Sequence, residues 1–466
     1  MSDVPFGFGL PDRDPERRDQ GGGGGNPADP FGFGALFGGA GGGSPEELLG
    51  KMPLFAELQK LMNWSGGPVN WDLARQGAIS SLSAGHQPTS AGEKSAAAEA
   101  LRLADLWLDA ATDLPSGIER TLVWSRVEWV EQTLPAWSAL IDPLAEKVVA
   151  AMTDALPAEA QAMAGPLAGI MGRMGGVMFG AQVGQALGKL AEEVLTSTDV
   201  GLPLAPAGAG VLVPQNLEAF AAGLDRPADE VRLFVALREA ASQRLFAHVP
   251  WLRQQLQDAV HAYARGIRID REAIERGIGE AMSGGLGGGM GGFDPNDPEA
   301  LQRLMPLLEP EETPAQQMAL RRLETLLALV EGWVDTVVAA ASKDRLPGHD
   351  ALAETMRRRR ASGGPAEQTF ATLVGLELRP RRLRDAATVW AAMEQKHGAA
   401  DRDRLWSHPD LLPTSEDLDE PMDFVARQQG MDEALAELTG DGSGETRPGE
   451  DEPEAPTDGE GDGTTR

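Results

Sequence analysis

Val235–Leu252 reads VALREAASQRLFAHVPWL, a helical pattern that ends in a Val-Pro-Trp-Leu exit. Helical periodicity also predominates in the chain on either side of it. Thr313-Pro314-Ala315-Gln316 resembles a capping box that opens a later helix. The best strand candidate is Gly210–Pro214, a short edge strand ended by proline. The sequence therefore predicts a mainly α, multi-helix fold with at most a small β element, flanked by disordered termini.

Five residues decide whether this helix could bind a catalytic metal: Arg238-Glu239-Ala240-Ala241-Ser242. A helix of the form His-Glu-x-x-His holds Zn²⁺ with two imidazoles on one face, and its glutamate activates the metal-bound water. Glu239 keeps the glutamate position, whereas Arg238 and Ser242 stand where the histidines would be. A guanidinium has no lone pair to donate, and a serine hydroxyl is a poor neutral ligand. The alternative is structural, with Glu239 paired to a nearby arginine inside a packed bundle.

Further blocks of the chain, in order, carry a family resemblance together with this helix. They are Gly67–Trp71, Leu323–Trp333, Gly363–Glu367, Gly375–Pro380 and His408–Pro413. On these blocks the chain resembles the actinobacterial zincin-like family of zinc-dependent metalloproteases, over roughly residues 46 to 425.

The resemblance implies a zincin-like domain, a zinc cofactor and a hydrolase in which Glu239 is the general base. In relatives with the intact motif, the third zinc ligand is read as the histidine of a Glu-Gly-His triplet, which here is Glu331-Gly332-Trp333. Trp333 would then replace that ligand, so zinc is not expected at the usual site. Two hypotheses follow: a metallopeptidase with an unusual ligand set, or a non-catalytic helical scaffold or protein-interaction module that retains the fold.

Composition divides the chain into a central domain and two tails. Residues 1–44 are rich in Gly, Pro and Phe and are expected to be disordered. The helical domain is expected over 45–428, with a flexible glycine-rich insert at 278–297. Residues 429–466 form an acidic tail, expected to be disordered beyond about residue 440. The motif Pro-Phe-Gly-Phe-Gly, whose role the sequence does not indicate, occurs at Pro5–Gly9 and Pro30–Gly34.

The net charge of −30 argues against general binding to nucleic acid or to anionic lipid. The chain contains no cysteine, which excludes disulfides, thiolate metal sites and a cysteine nucleophile. The first residues lack a basic stretch followed by an apolar one, so a secretory signal is not expected and a cytoplasmic location is predicted. No phosphate-binding loop or dinucleotide fingerprint supports a nucleotide cofactor.

A ridge of glycines spaced four residues apart runs from Gly172 to Gly188. Such a ridge lets another backbone approach closely, so we expect tight helix packing inside the bundle or at a homodimer interface. A membrane span is not expected, because Arg173 and Lys189 bound an uncharged run that is too short. An unidentified protein or peptide partner is the other expectation.

Eight arginines cluster late in the chain: Arg357, Arg358, Arg359, Arg360, Arg379, Arg381, Arg382 and Arg384. Guanidinium groups suit carboxylates and phosphates, so the cluster predicts internal salt bridges or a docking patch for an anion or the acidic tail. Nucleic-acid binding is disfavoured because no aromatic residues alternate with the arginines. Asp258-x-x-His261 and Glu394-x-x-His397 pair a carboxylate with an imidazole, and His408 could reach a metal only if folding carries it to Glu239.

Overall fold

The computed structural model describes residues 67–85, 87–154, 164–266, 313–361, 382–428 and 430. These residues form helices and one small sheet, which confirms the prediction of a mainly α fold. The helices are α1 Trp71–Leu82, α2 Ala91–Leu108, α3 Arg126–Asp154, α4 Ala164–Glu193, α5 Pro214–Ala222, α6 Ala228–His248, α7 Pro250–Arg265, α8 Pro314–Ser342, α9 His349–Ala361, α10 Leu383–His397 and α11 Ala399–Arg404. The strands are β1 Arg120–Val123 and β2 Ala209–Leu212, and short 3₁₀ turns occur at Ser83–Gly85, Leu405–Ser407 and Pro409–Leu411.

Several sequence predictions lie outside the described residues. They concern the N-terminal tail and its two Phe-Gly motifs, the glycine-rich insert, most of the acidic tail, Arg379 and Arg381.

Local capping chemistry sets the helix starts that the sequence indicated. Thr313 accepts a hydrogen bond from the backbone N–H of Gln316, and the Gln316 side chain accepts from the Thr313 N–H, so the predicted capping box is confirmed. Val249 separates α6 from α7, whose first residue is Pro250. Proline is favoured at that position because the first helical N–H has no intrahelical partner.

The sheet consists of two parallel strands. β1 pairs with β2 from Arg120 opposite Ala209 to Val123 opposite Leu212. β2, at Ala209–Leu212, overlaps the strand predicted at Gly210–Pro214, whereas β1 was not predicted. Parallel strands need a crossover connection, and here the chain between them contains α3 and α4.

The glycine ridge of α4 packs against α1 of the same chain. A Cβ atom added to Gly180 would lie 2.5 Å from the Asn70 carbonyl oxygen. A Cβ atom added to Gly184 would lie 2.6 Å from the Ala74 carbonyl oxygen. A Cβ on Gly188 would lie 2.3 Å from the Ser81 hydroxyl. The predicted tight packing inside the bundle is thus present along this part of the ridge. A homodimer through the same glycines stays a prediction, and it would require α1 to leave them.

Helices α6 and α8 form the middle of the core. Every residue of α6 from Phe234 to Phe246 is buried, and α6 packs on α2 and α8. By length and composition α8 could cross a membrane, but 72% of its most apolar window is buried inside the fold. Burial of this kind is typical of the core helix of a globular domain.

Candidate functional site

Helix α6 contains Arg238–Ser242, and we call it the motif helix. It buries polar as well as apolar side chains. Arg238, Glu239, Ser242, Gln243 and Arg244 are all buried within it. A buried polar or charged group costs free energy unless it is hydrogen-bonded or paired. The partners of these side chains therefore define what the site can do.

Glu239 is fully buried and accepts hydrogen bonds from five donors. The hydroxyls of Ser197 and Thr198 each donate to one of its oxygens at 2.6 Å. The Val211 N–H and the Gln243 amide donate at 3.0 Å, and the Thr198 N–H adds a longer bond of 3.3 Å. A carboxylate offers about four lone-pair positions. These donors therefore use the acceptor capacity with which Glu239 would activate a water.

The donors to Glu239 come from separate parts of the chain. Ser197 and Thr198 lie in the segment after α4, Val211 lies on β2, and Gln243 lies one turn further along α6. The carboxylate thus fastens the β2 strand and the α4–β2 connection to the motif helix.

Arg238 points from α6 toward α8 and is only 6% exposed. Its guanidinium donates to Glu331 at 2.6 Å and also contacts the Asp335 carboxylate. Glu331 and Asp335 are four residues apart, so they lie on one face of α8 and receive the two sides of the guanidinium fork. Burial works against the charge of Arg238, but the two carboxylates outweigh it and raise the pKa of the guanidinium.

The contact between α6 and α8 continues to α9 and to the α4–β2 connection. Arg360 binds the other oxygen of Glu331 at 2.7 Å and approaches Asp199 at 3.5 Å. Arg359 binds Asp199 at 3.0 Å. We call this chain of alternating charges the arginine network, and its members in order are Asp335, Arg238, Glu331, Arg360, Asp199 and Arg359.

The arginine network pairs three arginines with three carboxyl groups. Burial raises the pKa of Glu331 above 4.5, although the charges of Arg360 and Arg238 oppose that effect. Burial alone would raise the pKa of Asp199, but the charges of Arg359 and Arg360 and the Leu195 N–H outweigh it, so that pKa lies below the ordinary value of 3.8. Asp199 is consequently ionised at neutral pH and completes the pairing.

Ser242 shares a small cavity with Arg238. The cavity measures about 10 Å³, and its lining also includes Val235, Thr198 and Arg360. Such a volume accommodates about one water molecule. The structure therefore brings Arg238 and Ser242 together, next to Arg360 of the arginine network.

Trp333 does not line the cavity that Arg238 and Ser242 share. Its indole N–H donates to Asp403 at 2.8 Å, and the guanidinium of Arg402 lies 5.9 Å from the ring centroid. Trp333 follows Glu331 by two residues, which turns its side chain about 200° around the helix axis. The α8 residues that reach Arg238 are Glu331 and Asp335 instead.

The residues at this site do not fit a zinc ion. Arg238 cannot ligate a metal, Glu239 is saturated with donors, and the positive charge that Glu331 requires is supplied by two guanidiniums. No group of three or more His, Cys, Asp or Glu arranged to hold a metal occurs in the described part of the chain.

The run of four arginines on α9 divides between core and surface. Arg359 and Arg360 belong to the arginine network. Arg357 and Arg358 both pair with Glu354 at 3.1 and 2.7 Å, on the exposed side of α9. All four therefore make internal salt bridges, one of the two roles that the sequence left open.

The later arginines of the cluster lie at the start of α10. Arg382 pairs with Asp419 at 2.8 Å and contacts the Ser415 carbonyl. Arg384 lies in the first turn of α10. Binding of an anion or of the acidic tail by these residues stays a prediction.

The carboxylates of the two histidine motifs and the ring of His408 bind protein groups. In Asp258-x-x-His261 the carboxylate accepts from Gln254 at 3.0 Å, and in Glu394-x-x-His397 it binds Arg402 at 2.8 Å. His408 is exposed and accepts from the N–H of Asp410, two residues on. Its ring is therefore used in the local turn.

Arg244 is a buried charge that the sequence reasoning missed. It is 1% exposed and donates to Asp105, to Asp109 and to the Leu114 carbonyl at 2.6 to 2.9 Å. Arg244 thereby fastens α6 to α2 and to the loop after it. A signal did exist, because Ala240, Ala241 and Ala247 lie three or four residues from Arg244, and an arginine on such an apolar helix face requires an acidic partner when it is buried.

Comparisons with known proteins show the family and support the fold. The family model described as zincin-like metallopeptidase matches residues 69–425. A crystal structure from Chloroflexus aurantiacus, described as a "putative hydrolase with a novel fold", is similar with a TM-score of 0.55 and 20% identity, covering 78% of this chain and 99% of that one. No match was found among curated proteins. The match over residues 69–425 defines a zincin-like domain. The chain belongs to the zincin-like metallopeptidase family.

Proposed function

We propose that this chain is a non-catalytic member of its family, in which the arginine network takes the place of the metal and the fold serves as a scaffold or protein-interaction module. The motif is degenerate at Arg238 and Ser242, and the composition and block pattern favour an actinobacterial branch of the family. A cytoplasmic location is part of the same proposal.

The observation that carries the proposal is the state of Glu239. A general base needs a free lone pair directed at the water it deprotonates. Both oxygens of Glu239 instead accept short hydrogen bonds from hydroxyl groups of the α4–β2 connection. Its position in the motif is thus used to hold β2 and that connection on α6.

The family description favours a second candidate, a zinc-dependent peptidase. In that case Glu239 would have to exchange Ser197 and Thr198 for a metal-bound water, and the ligands would have to come from residues outside the usual motif. The two candidates differ in their response to metal.

The test measures thermal unfolding and proteolytic turnover of the full chain with added ZnCl₂, with EDTA and with neither. A ligand that binds only the folded state adds about 2.7 kcal/mol of stability when its free concentration is 100 times its Kd. We expect the same melting temperature in all three samples and no turnover of a denatured protein substrate. A higher melting temperature with zinc, accompanied by turnover that EDTA abolishes, would establish the peptidase instead.

A homodimer and a peptide or protein partner are further proposals for the scaffold. Light scattering during size-exclusion chromatography gives the oligomeric state directly. A dimer that persists in a Gly176→Leu variant would place the interface elsewhere than on the glycine ridge.

A further inference from the structure

A groove separate from the motif helix lies between α8 and the loop at 409–416. Its volume is about 540 Å³, within the range of protein ligand sites. Leu326 and Leu412, both buried, contribute apolar surface to it, while Met318 lies in it with 60% of its surface exposed. An exposed methionine in an apolar groove is typical of a surface that binds a peptide side chain.

The two walls of the groove carry opposite charges. Arg321 and Arg322 are exposed on the α8 wall, and neither forms an ion pair with another described residue. Among the described residues, the Arg322 side chain donates to the Gln255 amide oxygen at 2.9 Å. Asp410 and Glu416 lie on the loop wall. An acidic occupant would therefore turn its carboxylates toward α8.

The last described residues of the chain stand beside this groove. Arg427 pairs with Asp417, whose carboxylate in turn accepts from the Thr414 N–H at 2.8 Å. Thr414 lines the groove. Each further residue extends the reach of the chain by about 3.3 Å, so the residues after 430 start within a short distance of the groove.

The sequence that follows combines apolar and acidic residues at helical spacing. Met431, Leu435 and Leu438 are four and three residues apart, which would place them on one face of a helix. Asp432 and Glu433 lie between them, together with a third acid, and residues 431–438 contain no basic side chain. Amphipathic segments of this kind bind in apolar grooves through such spaced anchors.

We propose that the groove binds residues 431–438 of the same chain, with the apolar residues in the groove and the acids toward Arg321 and Arg322. The acidic tail is then anchored at its base. The inference does not depend on whether the motif helix is catalytic.

The absence of cysteine makes disulfide trapping a direct test. The full chain carries Met318→Cys with Ala434→Cys, and a matched variant carries Met178→Cys with Ala434→Cys, because Met178 is also exposed, at 53%. Under mild oxidation at low protein concentration we expect the Met318 pair to close about tenfold faster, since docking raises its effective concentration. Equal rates would overturn the proposal. A disulfide-linked dimer in place of the intramolecular bond would also overturn it, in favour of docking on a second copy.

A second experiment tests the charge contribution without changing the distance between the cysteines. Arg321→Gln with Arg322→Gln in the Met318 and Ala434 cysteine background should slow closure about fivefold, the effect of losing two surface ion pairs. Arg357→Gln with Arg358→Gln, an exposed pair on α9, should leave the rate unchanged. Equal rates in both variants would overturn the assignment of the acids to the α8 wall.

Discussion

Glu239 illustrates how a carboxylate can be buried without a metal or a cation beside it. Five donors share its two oxygens, so the charge is spread over hydroxyl, amide and backbone dipoles. Hydrogen bonds to a charged group contribute about 1.5 to 3 kcal/mol each when the whole arrangement is satisfied. The residue that a peptidase would need most is here the anchor of β2 and the connection before it.

Substituting Glu239 by glutamine should therefore damage the fold. One carboxylate oxygen becomes an NH₂ donor that faces other donors, and at least one buried hydrogen bond is lost. We expect the free energy of unfolding in urea to fall by about 2 to 3 kcal/mol. Glu218→Gln, on the exposed side of α5, is the matched control and should change it little. An unchanged unfolding midpoint in Glu239→Gln would contradict the anchoring role.

Arg238 supplies the positive charge on which Glu331 and Asp335 depend. Replacing it with methionine, of similar length, leaves Asp335 without its guanidinium partner and should cost about 3 to 5 kcal/mol. Adding Asp335→Asn should recover part of that loss, because the unpaired carboxylate is removed. Unfolding of the two single variants and the double variant measures the coupling.

An exposed ion pair provides the control for this cycle. Arg232 pairs with Asp229, whose side chain is 90% exposed. Arg232→Met should cost less than about 1 kcal/mol, the usual range for surface pairs. A cycle for Arg238 and Asp335 as weakly coupled as that control would show that the arginine network does not hold α6 to α8.

At the level of elements, α4 and α1 pack through backbone rather than through side chains. Gly184→Ala would place a methyl group 2.6 Å from the Ala74 carbonyl oxygen, so the helices must separate. We expect a loss of about 2 kcal/mol by thermal or urea unfolding, as for other overpacked cores. Gly92→Ala, in the first turn of α2 with no close neighbour, should be neutral or slightly stabilising. Equal effects of the two substitutions would disprove the close packing.

The start of α9 should make stability depend on pH. His349 is 7% exposed, lies 2.8 Å from the Ser342 hydroxyl and packs edge-on against Phe234. Burial lowers its pKa below 6.5, and the charges of Arg357 and Lys343 act in the same direction, while Asp350 and Asp335 oppose them.

The sign of the effect follows from proton binding. Below pH 6.5 the unfolded chain takes up a proton at His349 before the folded chain does, so the free energy of unfolding falls as the pH decreases from 6.5 toward the folded-state pKa. His349→Gln should flatten this slope in urea unfolding measured across the same range. His408→Gln, at an exposed ring, should leave the slope intact. An unchanged slope in His349→Gln would contradict the assignment.

Local signals predicted the elements that local chemistry controls. The Thr313 capping box and the strand around Val211 were visible because each is specified by neighbouring residues. The strand Arg120–Val123 was not visible, because its two exposed and two half-buried residues pair with a strand that is distant in sequence. Strand pairing at such separation depends on the tertiary context.

Across the whole molecule, the candidate site was only partly predictable. The motif spacing identified Arg238, Glu239 and Ser242, and the structure places all three on the buried helix α6. Asp199 and Asp335 could not be assigned as partners, since they come from other elements and ordinary acidic residues occur throughout this chain. The family resemblance aligned Trp333 with the expected third ligand, and in the structure its side chain binds Asp403.

The chain as a whole is strongly acidic, yet the arginine network contains as many arginines as carboxyl groups. The excess of acidic residues behind the −30 net charge therefore lies outside that network. A divalent cation placed near Arg238 would meet an existing positive charge, and ejecting that arginine would expose two carboxylates to each other. The arrangement is thus stable as an arginine site and unfavourable as a metal site.

The most direct test of this claim is the metal content of the full, untagged protein, measured by elemental mass spectrometry after dialysis without chelator. We predict far less than one zinc per chain, because Arg238 cannot ligate a metal and already binds Glu331 and Asp335. Close to one zinc per chain, retained through dialysis, would contradict the account.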